Sequence, residues 1–302
     1  MTKSYRTTTA PVRGGRLAVG VWGPDDAPTI LAIHGVTASH ICWMSVAEVM
    51  PNIRIIAPDL RGRGQSNALP GPWGMPTHAD DMKALLDSFG LESVVVLGHS
   101  MGAFVAATIA RRHPDVVREL VLVDGGLPIP APPGVAAEDV PKAIIGSAVE
   151  RLSMTFARRE DYRDFWRNHP AFIDDWGPAI EAYADYDLDG EAPTFSPSAS
   201  SRAVAQDSLE LSGDTDYADA LAGLDVPVTF IRAPRGLLNE PRALYATNTV
   251  EEWKTRMPSL TTLEIADVNH YTIVMARRGA EQVAAAVGSA VARTTRGAST
   301  AS

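Results

Sequence analysis

Residues 94–102 have the sequence Val-Val-Val-Leu-Gly-His-Ser-Met-Gly, and an alanine-rich run from Ala103 to Arg112 follows directly. Three β-branched residues and a leucine are typical of a strand that is buried on both faces. The following run lacks Gly and Pro, as expected of a helix. A Gly-x-Ser-x-Gly pattern between strand and helix lies on a tight turn that lifts the serine off the sheet edge. We therefore predict a nucleophile at Ser100.

The backbone around Ser100 gives the turn a second chemical property. Met101 is predicted to begin the helix, so its N–H has no partner within the helix and points toward the space around the serine. Such a donor can stabilise a developing oxyanion. The alternative interpretation is a serine that only caps a helix in an ordinary strand-to-helix turn.

Length, composition and charge narrow the class of protein. The chain has 302 residues, of which 45% are hydrophobic, so we expect one large α/β domain with an insertion. The net charge is −9 with a pI near 5.3, and Lys and Arg form no basic stripe. We therefore expect no nucleic-acid partner and no anionic-membrane partner.

The cysteine content and the terminal segment argue against disulfide-bonded, metal-binding, exported and membrane-spanning proteins. Cys42 is the only cysteine, so no internal disulfide can form, and the chain has no zinc-type Cys/His spacing. We expect neither a metal nor another cofactor. Residues 1–15 are polar and no apolar run of about 18 residues occurs, so we expect no export, no membrane span and a cytoplasmic location.

Strand-like and helix-like segments alternate along the chain. Strands separated by helices predict an α/β fold with a mostly parallel sheet covered by helices on both faces, and ligands then bind beyond the carboxyl ends of the strands. The predicted strands are Thr29 to Ile33, Arg54 to Ala57, Val94 to Leu97, Leu120 to Val123, Val228 to Ile231 and Thr261 to Ile265.

Residues 127–223 lack the strand signal and show helical signatures instead. We predict an α/β core formed by residues 1–126 and 224–302, with residues 127–223 inserted as a helical lid. The aromatic residues of this segment, with Trp176 and Tyr183 on one predicted helical face, either line a pocket for a hydrophobic substrate or hold the lid together.

Two local signals predict where helices begin. Thr77 and Asp80 resemble a capping box that opens a helix ending at Gly90. Ser196-Pro197 resembles an N-cap followed by proline at the first helical position.

Four separate motifs resemble those of the α/β-hydrolase fold family, and the resemblance covers nearly the whole chain. Besides the turn at Ser100, residues 34–37 (His-Gly-Val-Thr) resemble the oxyanion loop of the family. Residues 59–66 resemble its glycine-rich turn, which we interpret as structural. Asn269-His270-Tyr271 lies where the family keeps its base. The resemblance implies Val36 N–H as the second oxyanion donor beside Met101 N–H.

A serine hydroxyl needs a base to take its proton, and histidine suits this role because its pKa lies near neutrality. Of the seven histidines, only His270 lies late in the chain in a loop after a strand, at the same sheet edge as Ser100. The order Ser, acid, His of this fold agrees with His270 as the base.

The acid of the triad has two candidates. Most relatives carry an aspartate soon after the strand that is here Val228 to Ile231, but the first carboxylate after it is Glu240. Asp124 directly follows the strand after the Ser100 helix, where some lipases and lactonases of the family place their acid. Either carboxylate could orient His270 and stabilise its imidazolium form. Asp124 is the first candidate and Glu240 the alternative.

These residues predict a serine hydrolase that cleaves a carboxylic ester or lactone of a hydrophobic small molecule through an acyl-serine intermediate. The expected substrate contacts are Gly35, His40, Trp43, Trp176 and Tyr183. Two other functions stay open: hydrolysis of C–C bonds in diketone-type substrates, and a non-catalytic small-molecule receptor on the same fold. A homodimer is one oligomeric state that the sequence allows.

Overall fold

A computed structural model describes residues 5–129, 134, 135 and 140–299. Its strands are β1 (Arg6–Val12), β2 (Gly15–Trp22), β3 (Thr29–Ile33), β4 (Arg54–Pro58), β5 (Val94–His99), β6 (Val117–Val123), β7 (Leu188–Asp189), β8 (Ser196–Pro197), β9 (Val228–Arg232) and β10 (Leu260–Glu264). Its α-helices are α1 (Met44–Val49), α2 (Met75–Ser88), α3 (Met101–Arg112), α4 (Val140–Arg151), α5 (Arg159–Arg167), α6 (Pro178–Tyr186), α7 (Ser201–Ser208), α8 (Thr215–Ala222), α9 (Thr247–Arg256), α10 (Thr272–Met275) and α11 (Arg277–Ser299).

Eight strands form one sheet in the order β1-β2-β4-β3-β5-β6-β9-β10. Strands β4, β3, β5, β6, β9 and β10 are parallel, whereas β1 and β2 run antiparallel to their neighbours. The predicted mostly parallel α/β sheet is confirmed. The sheet separates two hydrophobic clusters, because alternate side chains of each buried strand point to opposite faces. Strand β5 lies centrally and is buried throughout, so its carboxyl end holds Ser100 in the middle of the sheet edge.

The N-terminal hairpin of β1 and β2 is a feature that the sequence analysis missed. Six of the seven β1 residues are not buried, so the strand carries no apolar pattern, and its threonines favour extended structure through their β-branched side chains. Gly14, with φ of 86°, makes the turn between the two strands.

Both predicted helix starts were wrong. Helix α2 begins at Met75 with Gly74 as its N-cap, two residues before the predicted Thr77. Ser196 and Pro197 form the short strand β8, which pairs with β7, and α7 begins only at Ser201. There the Ser200 side chain accepts a hydrogen bond from the N–H of Ala203, as an N-cap does.

The part of the chain between β6 and β9 contains helices α4 to α8 and the β7–β8 pair among its described residues. Tyr183 of α6 is buried against the hydrophobic cluster on one face of the sheet. The boundaries of the inserted domain, and its role as a lid, stay predictions. Within the described residues, no helix is long and apolar enough to cross a membrane.

Candidate active site

Ser100 lies between β5 and α3 in a backbone conformation that non-glycine residues rarely adopt, with φ of 54° and ψ of −124°. The turn is held by neighbouring backbone, because Ser100 N–H donates to Val123 O at 3.0 Å. A Cβ atom at Gly102 would lie 2.1 Å from Ile33 O, and one at Gly125 would lie 2.1 Å from Ser100 O. Only glycine therefore fits at these two positions. The neighbouring backbone can then pack closely against Ser100 and hold it in its strained conformation.

Asp124 and His270 form a buried pair at the same edge of the sheet. His270 Nδ1 donates to Asp124 Oδ2 at 2.7 Å, and the N–H of Ala233 donates to Asp124 Oδ1 at 3.0 Å. Asp124 is fully buried and His270 is 4% exposed. Because the carboxylate only accepts, the His270 proton lies on Nδ1, and Nε2 is left free to accept a proton.

The loop that carries His270 is fixed by its neighbour Asn269. The Asn269 side-chain oxygen accepts hydrogen bonds from the N–H groups of Tyr271 and Thr272, where α10 begins. Its amide nitrogen donates to Ala171 O at 2.9 Å, in the inserted segment. The position of the imidazole is therefore defined by the loop backbone as well as by Asp124.

The oxyanion loop passes directly beside Ser100. A Cβ atom at Gly35 would lie 3.1 Å from Ser100 Cβ, so glycine permits the close approach. The carbonyl of Gly35 accepts a hydrogen bond from His34 Nδ1 at 2.8 Å, and that of Val36 accepts one from Arg63 Nε at 2.9 Å. These two buried side chains therefore set the peptide planes on either side of Val36.

His34 is neutral in this arrangement. Burial lowers its pKa to about 4, and its Nε2 accepts a hydrogen bond from the N–H of Leu60 at 2.9 Å. The proton must then lie on Nδ1, where it is donated to the Gly35 carbonyl.

Ser100 and His270 both line a cavity of about 30 Å³. Gly35, Val36 and Tyr183 are also part of its wall. The sequence analysis did not expect the other wall residues to border the cavity. Thr37 belongs to the predicted oxyanion loop, His99 adjoins Ser100 and Tyr271 adjoins His270 in the chain. No motif singles out the remaining wall residues: Ala38, Cys42, Ile145, Ala148, Leu237, Val274 and Met275. Helix α4 contributes two of these wall residues, Ile145 and Ala148.

Three expected substrate contacts are not among the residues that line this cavity, and these predictions need correction. His40 Nδ1 lies 2.7 Å from Asp59 Oδ1, so its ring forms a buried hydrogen bond within the core. Trp43 is fully buried in the hydrophobic cluster that covers one face of the sheet. Trp176 lies outside α6 beside a surface cleft, where its ring stacks against the Arg167 guanidinium at 5.0 Å. A position in the chain close to the oxyanion loop or among the aromatic residues of the inserted segment therefore does not by itself predict a cavity-lining residue.

Glu240 is placed differently from Asp124. Its carboxylate accepts a hydrogen bond from the N–H of Leu238 at 2.7 Å within an exposed loop. Of the two candidate acids, only Asp124 has a hydrogen bond to His270 among the described residues. In the part of the chain that the structure covers, no group of three or more His, Cys, Asp or Glu side chains could hold a metal ion.

The comparisons with known proteins agree with this architecture. The model of the alpha/beta hydrolase fold family matches residues 28–152. The structure of E-2-(acetamidomethylene)succinate hydrolase is similar over 95% of this chain and 99% of its own, with a TM-score of 0.77 and 21% identity. The chain therefore has the α/β-hydrolase fold.

Two curated proteins are similar in sequence. Lipase LipV of Mycobacterium tuberculosis is 38% identical over 150 residues, which cover 50% of this chain and 56% of the lipase. The chain thus spans about half the length of that relative. The bifunctional esterase/perhydrolase DCH of Acinetobacter calcoaceticus is 26% identical over 226 residues, which cover 70% of this chain and 75% of that protein.

Proposed function

We propose that this protein is a serine hydrolase that cleaves a carboxylic ester or lactone of a hydrophobic small molecule. The observation that carries the proposal is the buried Asp124–His270 hydrogen bond at the wall of the cavity that Ser100 also lines. A nucleophile, a base with a fixed tautomer and an acid that orients the base are the parts that acyl transfer needs.

The first half of the reaction forms an acyl-enzyme. Ser100 Oγ attacks the ester carbonyl carbon while His270 Nε2 takes the hydroxyl proton, and the carbonyl oxygen becomes an oxyanion. The N–H groups of Val36 and Met101 are the proposed donors to that oxyanion. The C–O bond to the leaving alcohol then breaks, and His270 returns the proton to the alcohol oxygen. In a lactone, the alcohol stays attached to the acyl group.

The second half regenerates the enzyme. Water attacks the acyl carbon while His270 Nε2 takes one of its protons, the bond from Ser100 Oγ to carbon breaks, and the proton passes to Oγ. Asp124 keeps its negative charge throughout and stabilises the transient imidazolium. The product is the carboxylic acid.

The preference for a hydrophobic substrate is supported by the cavity wall. Val36, Ile145, Leu237, Val274 and Met275 present apolar side chains to the space over Ser100. The names of two relatives, a lipase and an esterase/perhydrolase, also agree with ester chemistry.

A panel of p-nitrophenyl esters, aromatic lactones and diketones tests the proposal. We expect turnover of members of the first two groups and loss of that turnover in Ser100→Ala, with unchanged far-UV circular dichroism as evidence that the variant is folded. Turnover of diketones alone would identify a C–C bond hydrolase instead. Binding of panel members without turnover by the unmodified protein would indicate a receptor.

A further inference from the structure

His99, the residue before the nucleophile, has a fixed protonation pattern. Its Nε2 lies 2.8 Å from the backbone carbonyl oxygen of His270. Because a carbonyl oxygen only accepts, Nε2 must carry a proton. Burial, followed by the neighbouring His270, lowers the pKa of His99 well below its usual value, so the ring is neutral and Nδ1 is a bare acceptor.

This Nδ1 acceptor is buried and has no hydrogen-bond partner among the described residues, although the side chain lines the cavity. His99 is 5% exposed. A buried acceptor without a partner is costly, because it has given up its hydrogen bond to water. None of the described residues that line the cavity donates a hydrogen bond to this nitrogen.

The position of Nδ1 relates it directly to the reacting atoms. The point where a Cβ atom on Gly35 would lie is 3.7 Å from His99 Nδ1 and 3.5 Å from Ser100 Oγ. The two atoms therefore border the same small space. A substrate group that enters this space beside Oγ would therefore come close to Nδ1.

We propose that His99 Nδ1 is a substrate-recognition atom, which accepts a hydrogen bond from an O–H or N–H group carried within about three bonds of the scissile carbonyl. This inference rests on the proposed hydrolase function and defines its substrate class as hydrophobic esters or lactones with one such donor. A carboxylate or ether oxygen at the same place would face Nδ1 acceptor to acceptor and is disfavoured.

Matched substrates measure this preference. The hydroxy esters are ethyl 2-hydroxybutanoate, ethyl 3-hydroxybutanoate and 2-hydroxyethyl butanoate, and each is compared with its methyl ether, which cannot donate. Both members of a pair compete in one reaction, and product ratios give the ratio of their kcat/KM values. This ratio does not depend on how much of a variant is folded.

Two substitutions at His99 separate its two nitrogen atoms. In His99→Gln, the side-chain amide can still donate to the His270 carbonyl, but no acceptor stands at the Nδ1 position. In His99→Asn, the amide oxygen replaces the Nδ1 acceptor and the donation to His270 is lost. His78→Gln is the control, because His78 is also buried with an unpartnered Nδ1 but binds Asp207 Oδ2 at 2.9 Å and does not line the cavity.

We expect the unmodified protein to favour the hydroxyl member of at least one pair by about tenfold. The ratio should fall to near one in His99→Gln and persist in His99→Asn and His78→Gln. Turnover of all the esters without a preference above twofold would overturn this inference and leave the hydrolase function intact. A preference that is retained in His99→Gln, or lost in His99→Asn, would have the same consequence. An unmodified protein that hydrolyses none of the esters or the panel above would refute the hydrolase function, and this inference with it.

Discussion

Replacing Asp124 with asparagine changes one atom in the hydrogen-bond pattern of the site. The Ala233 N–H needs an acceptor, so the asparagine oxygen should take the place of Oδ1, 3.0 Å from that nitrogen. The asparagine NH₂ then faces His270 Nδ1 at the place where Oδ2 now lies, 2.7 Å away. Because an NH₂ group only donates, Nδ1 must become the acceptor and the imidazole proton must move to Nε2.

A proton on Nε2 prevents His270 from taking the proton of Ser100. Loss of the correct tautomer costs about 10⁴ in kcat when the equivalent change is made in a serine protease. We expect Asp124→Asn to lower kcat by about 10³- to 10⁴-fold, which corresponds to about 4 to 5 kcal/mol in the barrier. KM should change little, because the buried carboxylate does not border the cavity.

The assay is steady-state hydrolysis of the best panel ester by the unmodified protein and by Asp124→Asn. Glu240→Gln is the matched control, because it makes the same chemical change in an exposed loop and should alter kcat less than threefold. The reverse result, with Glu240→Gln inactive and Asp124→Asn near normal activity, would refute the reasoning. A folded Asp124→Asn variant with a kcat within tenfold of the unmodified value would refute it as well.

Further predictions concern packing and pH. Gly125→Ala should give no soluble folded protein in expression trials, because the added Cβ would lie 2.1 Å from Ser100 O. The control is Gly288→Ala in α11, where the added Cβ meets nothing within 4 Å. This substitution should raise the free energy of unfolding by about 1 kcal/mol in urea titrations. Burial lowers the pKa of His34 to about 4 in the folded protein, whereas its ordinary value in the unfolded chain is about 6.5. As the pH falls from about 6.5 to about 4, only the unfolded chain binds the proton, so the folded state loses stability over this range. Denaturation at several pH values should show a loss that is smaller by about 3 kcal/mol over this range in His34→Gln, and an equal loss in both proteins would count against a neutral His34.

Local sequence signals predicted the central part of the fold because their physical causes are local. The β-branched run before Ser100 and the alanine-rich run after it became β5 and α3. Strand β3 has its predicted bounds. The β1–β2 hairpin escaped prediction because an exposed edge strand needs no apolar periodicity, and its pairing depends on a turn at Gly14 rather than on a buried face.

The site was less predictable, since its groups meet across long separations in the chain. Asp124 and His270 are 146 residues apart, and no local pattern shows which carboxylate reaches the imidazole. His40 and Trp43 follow the oxyanion loop in sequence, but the chain turns into the core there and buries both. His99 Nδ1 is an acceptor because Nε2 donates to the His270 carbonyl, 171 residues away in the chain. Only the three-dimensional structure shows this pairing.

Covalent capture of the nucleophile tests the central claim most directly. A fluorophosphonate reacts with a serine only where a base activates the hydroxyl and the oxyanion is stabilised. Intact-mass and peptide mass spectrometry should find one adduct per chain, located on Ser100, formed slowly or not at all in Asp124→Asn and absent in Ser100→Ala. No adduct on the folded unmodified protein, or one that persists in Ser100→Ala, would contradict the account.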